Sequence, residues 1–470
     1  MAATEGAGKS MIELLVSEIA QALGVPFEGG GTVREVSTDS RTIGPGSLFV
    51  ALPGERFDGH DYIAKAFAAG AAACVAERKV STGNPVWDER ILVVPDSQRS
   101  LLQIAAYYRQ KFSFLSVGVT GSVGKTTTKD MIAAVLSSRF ATLKTLGNEN
   151  NEIGLPRTVM RLMPDTQAAV FEMGMSGFGE IHDLTLCVRP DIGVITTIGV
   201  SHMLQLGSRE NILKAKTEIC DGMADGATLL LNGDNDLLQN YQNRRLNVVK
   251  YGIDGLDCAI SAKNIREAGE DTHFSISYEG NAYPCTLPCI GRHNVLNALA
   301  AFGVGVFAGI PPQSCADALN GYQPSGMRQR MRECRGVRIV EDCYNASPDS
   351  MRAAIETLST MACAGKKRMV LADMLELGEI SQDSHRQIGV FAAQKGVDAL
   401  YCYGGEARRL YEGAREAGLK DCRWFPDKET LTETLCREAV EGDILWFKGS
   451  RGMKLEEVIT RFCEECKDKC

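Results

Sequence analysis

The sequence predicts an α/β chain of three domains: a small α/β N-terminal domain, a central parallel-sheet P-loop domain, and a C-terminal Rossmann-like α/β domain. Three observations carry this. Apolar runs that end in polar residues alternate with helical stretches, the pattern of a parallel sheet with crossover helices. One such run opens into a glycine-rich loop that ends Gly124-Lys125-Thr126. Near residue 326 the strand–loop–helix series starts afresh, as a second open sheet would. A chain of 470 residues has room for these domains.

The first section, 1–112, holds short segments such as "SLFVALPG" and "ILVVPD" and one long helix, "DYIAKAFAAGAAACVAE". Its "GAGKS" at residues 6–10 follows no strand and is too short for a phosphate loop. The second section, 113–325, starts with strand-like "FLSVGVTG" and continues through "AAVFEMG", "DIGVITTIGVSH" and "ATLLLNGDN". In it "HFSISYEGNAYPCTL" alternates around a Glu-Gly-Asn turn and predicts a hairpin. The uncharged stretch 294–315 contains Asn297, glycines and Pro311-Pro312, so it predicts a buried helix and a turn, not a membrane span. The third section, 326–470, repeats the pattern in "VRIVEDCYNASPDSMRAAIETL", "RMVLADM", "DALYCYGGEARRLYEGA" and "DILWFKGSRGMKLEEVI".

Composition narrows the class. Hydrophobic residues at 44% and charged residues at 23% suit a soluble globular protein. A net charge of −8 argues against non-specific nucleic-acid binding. The 16 cysteines are scattered through apolar stretches such as "LYCYGG", as reduced thiols of a cytoplasmic protein would be. "MAATEGAGKSMIELL" lacks a basic segment followed by an apolar core, so no secretory signal is expected.

The glycine loop departs from the standard phosphate-loop spelling, G-x-x-x-x-G-K-[ST]. That spelling wants glycine at 119, where Val119 stands; the glycines are Gly118 and Gly121. Its context is nevertheless right, with an apolar strand before it and a helix after it. Met131, Ile132, Val135, Leu136 and Phe140 share one face of that helix. Gly121, Ser122, Val123 and Gly124 would turn backbone N–H groups toward phosphate oxygens, and the helix N-terminus adds positive potential. Lys125 would reach the terminal phosphates, and Thr126 or Thr127 a Mg²⁺ ion.

Ligands of open α/β sheets bind beyond the carboxyl ends of the strands. Glu172 ends "AAVFE", His202 follows "DIGVITTIGVS", and Lys216 lies on the next helix in "NILKAKTEIC". Glu172 and His202 are each able to hold a metal. A histidine alone is more often structural; the strand-end position favours a ligand. By residue type Lys216 is simply a solvated helix lysine.

These residues resemble the Mur ligases, ATP-dependent enzymes that add amino acids to the cytoplasmic peptidoglycan precursor. "TGSVGKTT" is similar to the family's T-G-x-x-G-K-T loop, which accounts for Val119. "GNENNEIGLP", "EMGMSGFGEI", "GVSHM", "AKTEI", "GRHNVLNALAA", "MRQR" and "DCYNASPDSM" follow in the family's order, across nearly the whole chain. The N-terminal "STDSRTIGPGSLFVALPGERFDGHDYIAKAFAAGA" resembles a uridine-nucleotide domain, and no Asp-Asn-Pro-Arg run is present. "DCYNASPDSM", "LADMLELG" and "FKGSRGMKLEEV" point within the family to the step that joins D-alanyl-D-alanine to UDP-N-acetylmuramoyl-tripeptide. The alternative is a family member that adds a single amino acid. The middle of "EMGMSGFGEI" and Cys343 depart from the usual spelling.

The resemblance implies the chemistry. ATP converts the tripeptide carboxylate to an acyl phosphate, and the dipeptide amine displaces phosphate. Two anions meet in the first step, so cations must hold them. The implied roles are ATP binding by residues 121–127, and a second Mg²⁺ held by Glu172, His202 and a carbamylated Lys216. Asn294 and Asn297 would contact adenine, and Arg328 the γ-phosphate. Asp342 and Asn345 would contact ribose, although Asp342 is equally well read as a turn residue. Ser347-Pro348 supplies a helix N-cap and first-turn proline. Lys448, Ser450 and Arg451 would hold the dipeptide carboxylate, and Ser37, Asp39, Ser40 and Arg41 the uridine diphosphate. The third domain would swing about a hinge near Ser325, and the enzyme would work as a monomer.

Two features carry no role in this reading. Cys463, Cys466 and Cys470 lack a fourth zinc ligand and read as a helix end. His60 reads as structural. A GTPase switch would need an Asn-Lys-x-Asp motif, which is absent.

Overall fold

The computed structural model describes residues 13–54, 57–255, 257–324 and 328–465. The "GAGKS" segment, the hinge expected near Ser325, Cys466 and Cys470 lie outside these. The chain divides into two compact units. One comprises Met1–Val119, Arg139–Gly193 and Glu218–Thr228; the other comprises Thr120–Ser138, Val194–Thr217 and Leu229–Cys470.

In the first unit, four parallel strands pair in the order Glu35–Ser37, Ser47–Val50, Ala73–Ala76 and Ile91–Val93. Phe49, Ile63, Phe67 and Cys74 form their core. The long helix expected over "DYIAKAFAAGAAACVAE" is corrected here. It stops at Ala68, Gly70 turns at φ 103°, and Ala73–Ala76 is a strand. Alanine favours helix, but a strand buried on both faces needs only small or apolar side chains, and tertiary packing overrides propensity.

A second parallel set in this unit runs Thr142–Lys144, Ala168–Glu172, Leu115–Thr120. The last ladder pair is Val119 with Glu172, so the glutamate ends its strand level with the residue before the loop. Helices Ser97–Arg109 and Glu180–Val188 are tied together by Arg109 Nε donating to Val188 O at 3.1 Å.

In the second unit, helix Lys125–Ser137 packs on the buried helix Arg292–Phe307. The expected hairpin is present as Asp271–Tyr278 with Asn281–Leu287, joined by Glu279 and Gly280 at φ 48° and 77°. Two positive φ values make the tight turn whose twist matches the strands. Ile260–Ala268 pairs antiparallel with its first strand, so the hairpin belongs to a three-stranded meander.

The same unit holds a six-stranded sheet in the order Arg330–Cys334, Val337–Asp342, Ile444–Lys448, Lys367–Ala372, Ala399–Tyr403, Cys422–Phe425. Only the first pair is antiparallel. Side chains alternate between two cores. Met369, Leu371 and Trp446 pack with Ile355, Leu358 and Ile388 on one face. Val370, Leu445 and Phe447 pack with Leu431, Val458 and Phe462 on the other. That is the burial of an open sheet covered by helices on both sides. Ile444–Lys448 lies between Val337–Asp342 and Lys367–Ala372, so strands far apart in sequence end together, as at the crevice where such sheets bind ligands. Arg330–Cys334 and Cys422–Phe425 were not foreseen; both are short edge strands that carry charge.

Candidate active site

Strand Leu115–Thr120 delivers the glycine loop, and helix Lys125–Ser137 leaves it. Gly121 sits at φ 146°, and a Cβ there would come within 1.9 Å of Thr196 Oγ1, so no other residue fits. Thr196 Oγ1 in turn donates to Val123 O at 2.6 Å. Ser122 N donates to Thr197 O at 2.8 Å, and Ser122 Oγ accepts from Gly199 N at 2.9 Å. The loop is thereby pinned to the segment after strand Ile192–Ile195. Lys125 Nζ donates to Gly121 O at 2.8 Å, which holds the ammonium over the loop. Thr126 is buried at the start of the helix.

His202 adopts φ 65° before the short helix Met203–Leu206. Burial, then the charges of Lys216 and Lys125, hold its imidazole down at about 4, so it is neutral at pH 7. Its Nδ1 is buried without a hydrogen-bond partner among the described residues. A neutral, desolvated imidazole nitrogen is a competent metal donor. Lys216 is fully buried and Lys214 exposed, so the solvated-lysine reading describes Lys214 and not Lys216. Among the described residues no three His, Cys, Asp or Glu stand together to hold a metal.

Asn294 and Asn297 are both buried. Asn297 Oδ1 accepts from Thr128 Oγ1 at 3.0 Å, and Asn297 Nδ2 donates to Asn294 Oδ1 at 3.3 Å. The guanidinium of Arg328 lies 3.9 Å over the Tyr344 ring. Ser347 caps helix Pro348–Thr360 with Pro348 in its first turn, as expected. Asn345 is exposed, and its Oδ1 accepts from Ala346 N at 2.8 Å.

Three residues expected on two different ligands, Lys448 on the dipeptide and Asp342 and Asn345 on ribose, are tied to one another. Lys448 is buried, and its Nζ donates to Asp342 Oδ2 at 2.7 Å and Asn345 O at 3.3 Å. Ser450 is buried too, and its Oγ accepts from Leu375 N at 2.9 Å. Arg451 is exposed, with Nη1 2.6 Å from Glu456.

In the first unit, Glu172 is buried, and its Oε1 accepts from Asn150 Nδ2 at 2.8 Å. Asn150, in "GNENNEIG", had no assigned role; only its place in a shared motif marked it. In "STDSR", Arg41 grips Asp39 through Nε at 2.9 Å and Nη2 at 2.7 Å, which holds that carboxyl at about 2. Ser37 Oγ accepts from Asp39 N at 3.1 Å, and Ser40 lies half-buried between them and Arg41. His60 is buried between Asp58 and the Glu77 amide, a structural role.

A pinned glycine loop, its lysine and threonine, and a separate doubly covered parallel sheet define a P-loop protein of α/β class, built to bind a nucleotide's phosphates. Three family models match the chain: "Mur ligase family, catalytic domain" at 32–109, "Mur ligase middle domain" at 119–305, and "Mur ligase, glutamate ligase domain" at 327–451. The chain belongs to the Mur ligase family, the ATP-dependent peptide ligases. It is 40% identical over 460 residues to the UDP-N-acetylmuramoyl-tripeptide--D-alanyl-D-alanine ligase of Bacillus subtilis, covering 97% of this chain and 99% of that one. The Escherichia coli ligase of the same name is 32% identical, with 96% and 98% covered. A crystal structure of MurF from Acinetobacter baumannii superposes with a TM-score of 0.88 at 28% identity, over 97% of this chain and 100% of that one. MurF from Thermotoga maritima in complex with ADP gives 0.85 at 30% identity, over 93% and 99%. No helix among the described residues is long and apolar enough to cross a membrane.

Proposed function

We propose that the chain joins D-alanyl-D-alanine to UDP-N-acetylmuramoyl-tripeptide with ATP as the driving reactant, in the cytoplasm and as a monomer. The observation that carries this is the end-to-end identity with the Bacillus subtilis ligase, in a chain that folds an intact phosphate loop. The tripeptide carboxylate attacks the γ-phosphorus and ADP leaves; the dipeptide amine attacks the acyl phosphate carbonyl, and phosphate leaves.

Each residue then has a task. The amides of 121–124 and Lys125 bind the phosphates, and Arg328 adds charge to the γ-phosphate. Asn294 and Asn297 face adenine; Asn345 and Asp342 face ribose. Lys448, buried and paired, acts there through Asp342, while exposed Arg451 meets the dipeptide carboxylate with Ser450 behind it. Ser37, Asp39, Ser40 and Arg41 receive the uridine diphosphate. Thr126 or Thr127 would donate to one Mg²⁺, and the residues that the resemblance assigns to a second are Glu172, His202 and a carbamylated Lys216; the ions when bound would offset the charge of the meeting anions.

The test is to incubate the protein with ATP, Mg²⁺, the UDP-muramoyl tripeptide and D-Ala-D-Ala, and to weigh the products. The expected product carries two more alanines, with phosphate released only when both co-substrates are present. Addition of one amino acid, or phosphate release without either co-substrate, would sink the proposal.

A further inference from the structure

Gln329 immediately precedes strand Arg330–Cys334 and stands at φ 52°, a conformation that L side chains rarely adopt. Its amide is committed at both ends. Oε1 accepts from Asn294 Nδ2 at 2.8 Å, and Nε2 lies 3.0 Å from His293 Nε2. An amide nitrogen only donates, so His293 Nε2 accepts and its proton sits on Nδ1. Desolvation, with Lys448 second, holds His293 down at about 4, which keeps that nitrogen an acceptor at neutral pH.

The consequences run along a chain of amides. Asn294 Nδ2 gives its two hydrogens to Gln329 Oε1 and Ile290 O, the latter at 2.8 Å. Its Oδ1 must then face Asn297, which donates to it through Nδ2. That leaves Asn297 Oδ1 to accept from Thr128 on the phosphate-loop helix. Side-chain amides are nearly symmetric in shape, and only such a network decides which end offers a donor and which an acceptor. Adenine and guanine differ in just this respect: adenine offers an N6 donor and N1 acceptor where guanine offers an O6 acceptor and N1 donor.

We propose that Gln329 is a positioning residue for base specificity: it fixes the donor and acceptor pattern that Asn294 and Asn297 present to the nucleotide. This rests on the reading that these two asparagines face the base. Removal of the Gln329 amide takes one of the two acceptors from Asn294 Nδ2 and leaves the bonds to Ile290 O and Thr128 in place, so the pair is held less firmly and the preference for adenine falls while phosphate binding stays.

The experiment measures by calorimetry the affinity of the full chain for ATP, GTP and inorganic triphosphate, in wild type and Gln329→Gly. Glycine tolerates the positive φ, so the backbone is not strained by the change. The expected result is a wild type that prefers ATP, and a variant whose ATP-to-GTP ratio drops about fivefold, the worth of one hydrogen bond, with triphosphate affinity unchanged. A variant that keeps the wild-type ratio overturns the role of Gln329 alone. A wild type without preference overturns the base-facing reading and the proposal with it. An equal loss for triphosphate assigns the effect to the loop through Thr128 and overturns base specificity.

Discussion

Lys448 Nζ lies 2.7 Å from Asp342 Oδ2, and the two residues face each other as the last pair of a parallel ladder. Lys448 is the polar end of an otherwise apolar strand, and Asp342 ends one that also carries Arg338 and Glu341. Desolvation raises the Asp342 carboxyl above its ordinary range, and Lys448 opposes the rise. Removal of the lysine strands a buried carboxylate. Lys448→Ala is therefore expected to lose about 3 kcal/mol of stability. The penalty carries a pH signature. A carboxyl whose folded pKa is raised binds its proton more tightly when folded, so stability falls as pH climbs from the ordinary value through the raised one. The variant raises it further, so its deficit in urea denaturation should be smaller at pH 5 than at pH 8. Equal deficits would show that Asp342 is not the group left uncompensated.

Lys125→Ala should behave in the opposite way. The side chain makes a hydrogen bond to its own loop and is not part of the core. Loss of one charged donor at a phosphoryl group costs about 10²–10³-fold in rate. Phosphate release should fall by that order with the melting temperature essentially unchanged. A folded variant with near-normal turnover would remove this loop as the ATP site.

The sequence made the open α/β class legible because strand ends, glycines and helix faces are local signals. The phosphate loop, the Glu279-Gly280 hairpin and the Ser347 cap are each decided within a few residues. What was not legible depends on partners distant in the chain. The Lys448–Asp342 pair spans 106 positions and arises only because Ile444–Lys448 inserts beside Val337–Asp342. The helix assumed through Ala73–Ala76 failed for a similar reason, since burial between two strands is invisible in an alanine-rich run. Gln329 had no signal beyond its place in "MRQR"; its role comes from His293 and Asn294, more than thirty residues away.

Arg368, on strand Lys367–Ala372, and Asp443, just before strand Ile444–Lys448, form a buried ion pair at 2.6 Å. Burial raises the Asp443 carboxyl, but the Lys366 amide and Arg368 outweigh it and leave the group below its ordinary range. A depressed carboxyl contributes stability above its unfolded pKa and loses it as pH falls through the folded value. Asp443→Asn should therefore cost about 3 kcal/mol at pH 7 by leaving Arg368 unpaired. In guanidinium titrations the gap from wild type should narrow below about pH 3.9. A gap constant from pH 7 to pH 3 would show that charge is not what the aspartate supplies.

Lys216 and Lys214 lie two positions apart on helix Arg209–Thr217, one fully buried and one exposed. A buried lysine with no functional reason to be charged is costly, and truncation to alanine would add a cavity to whatever else it removes. Lys216→Met keeps the volume and deletes only the nitrogen. If Lys216 carries a carbamate, Lys216→Met should abolish phosphate release while the protein stays folded, because the volume is kept and only the nitrogen is lost. Lys214→Ala should leave phosphate release unchanged, since its side chain is exposed. A carbamate also exchanges with dissolved CO₂, so wild-type protein equilibrated with ¹³C-bicarbonate should show one protected carbamate carbon by NMR that Lys216→Met lacks. An active Lys216→Met, or a carbamate signal that survives it, would reject the assignment, and an inactive Lys214→Ala would move the role to the neighbouring lysine.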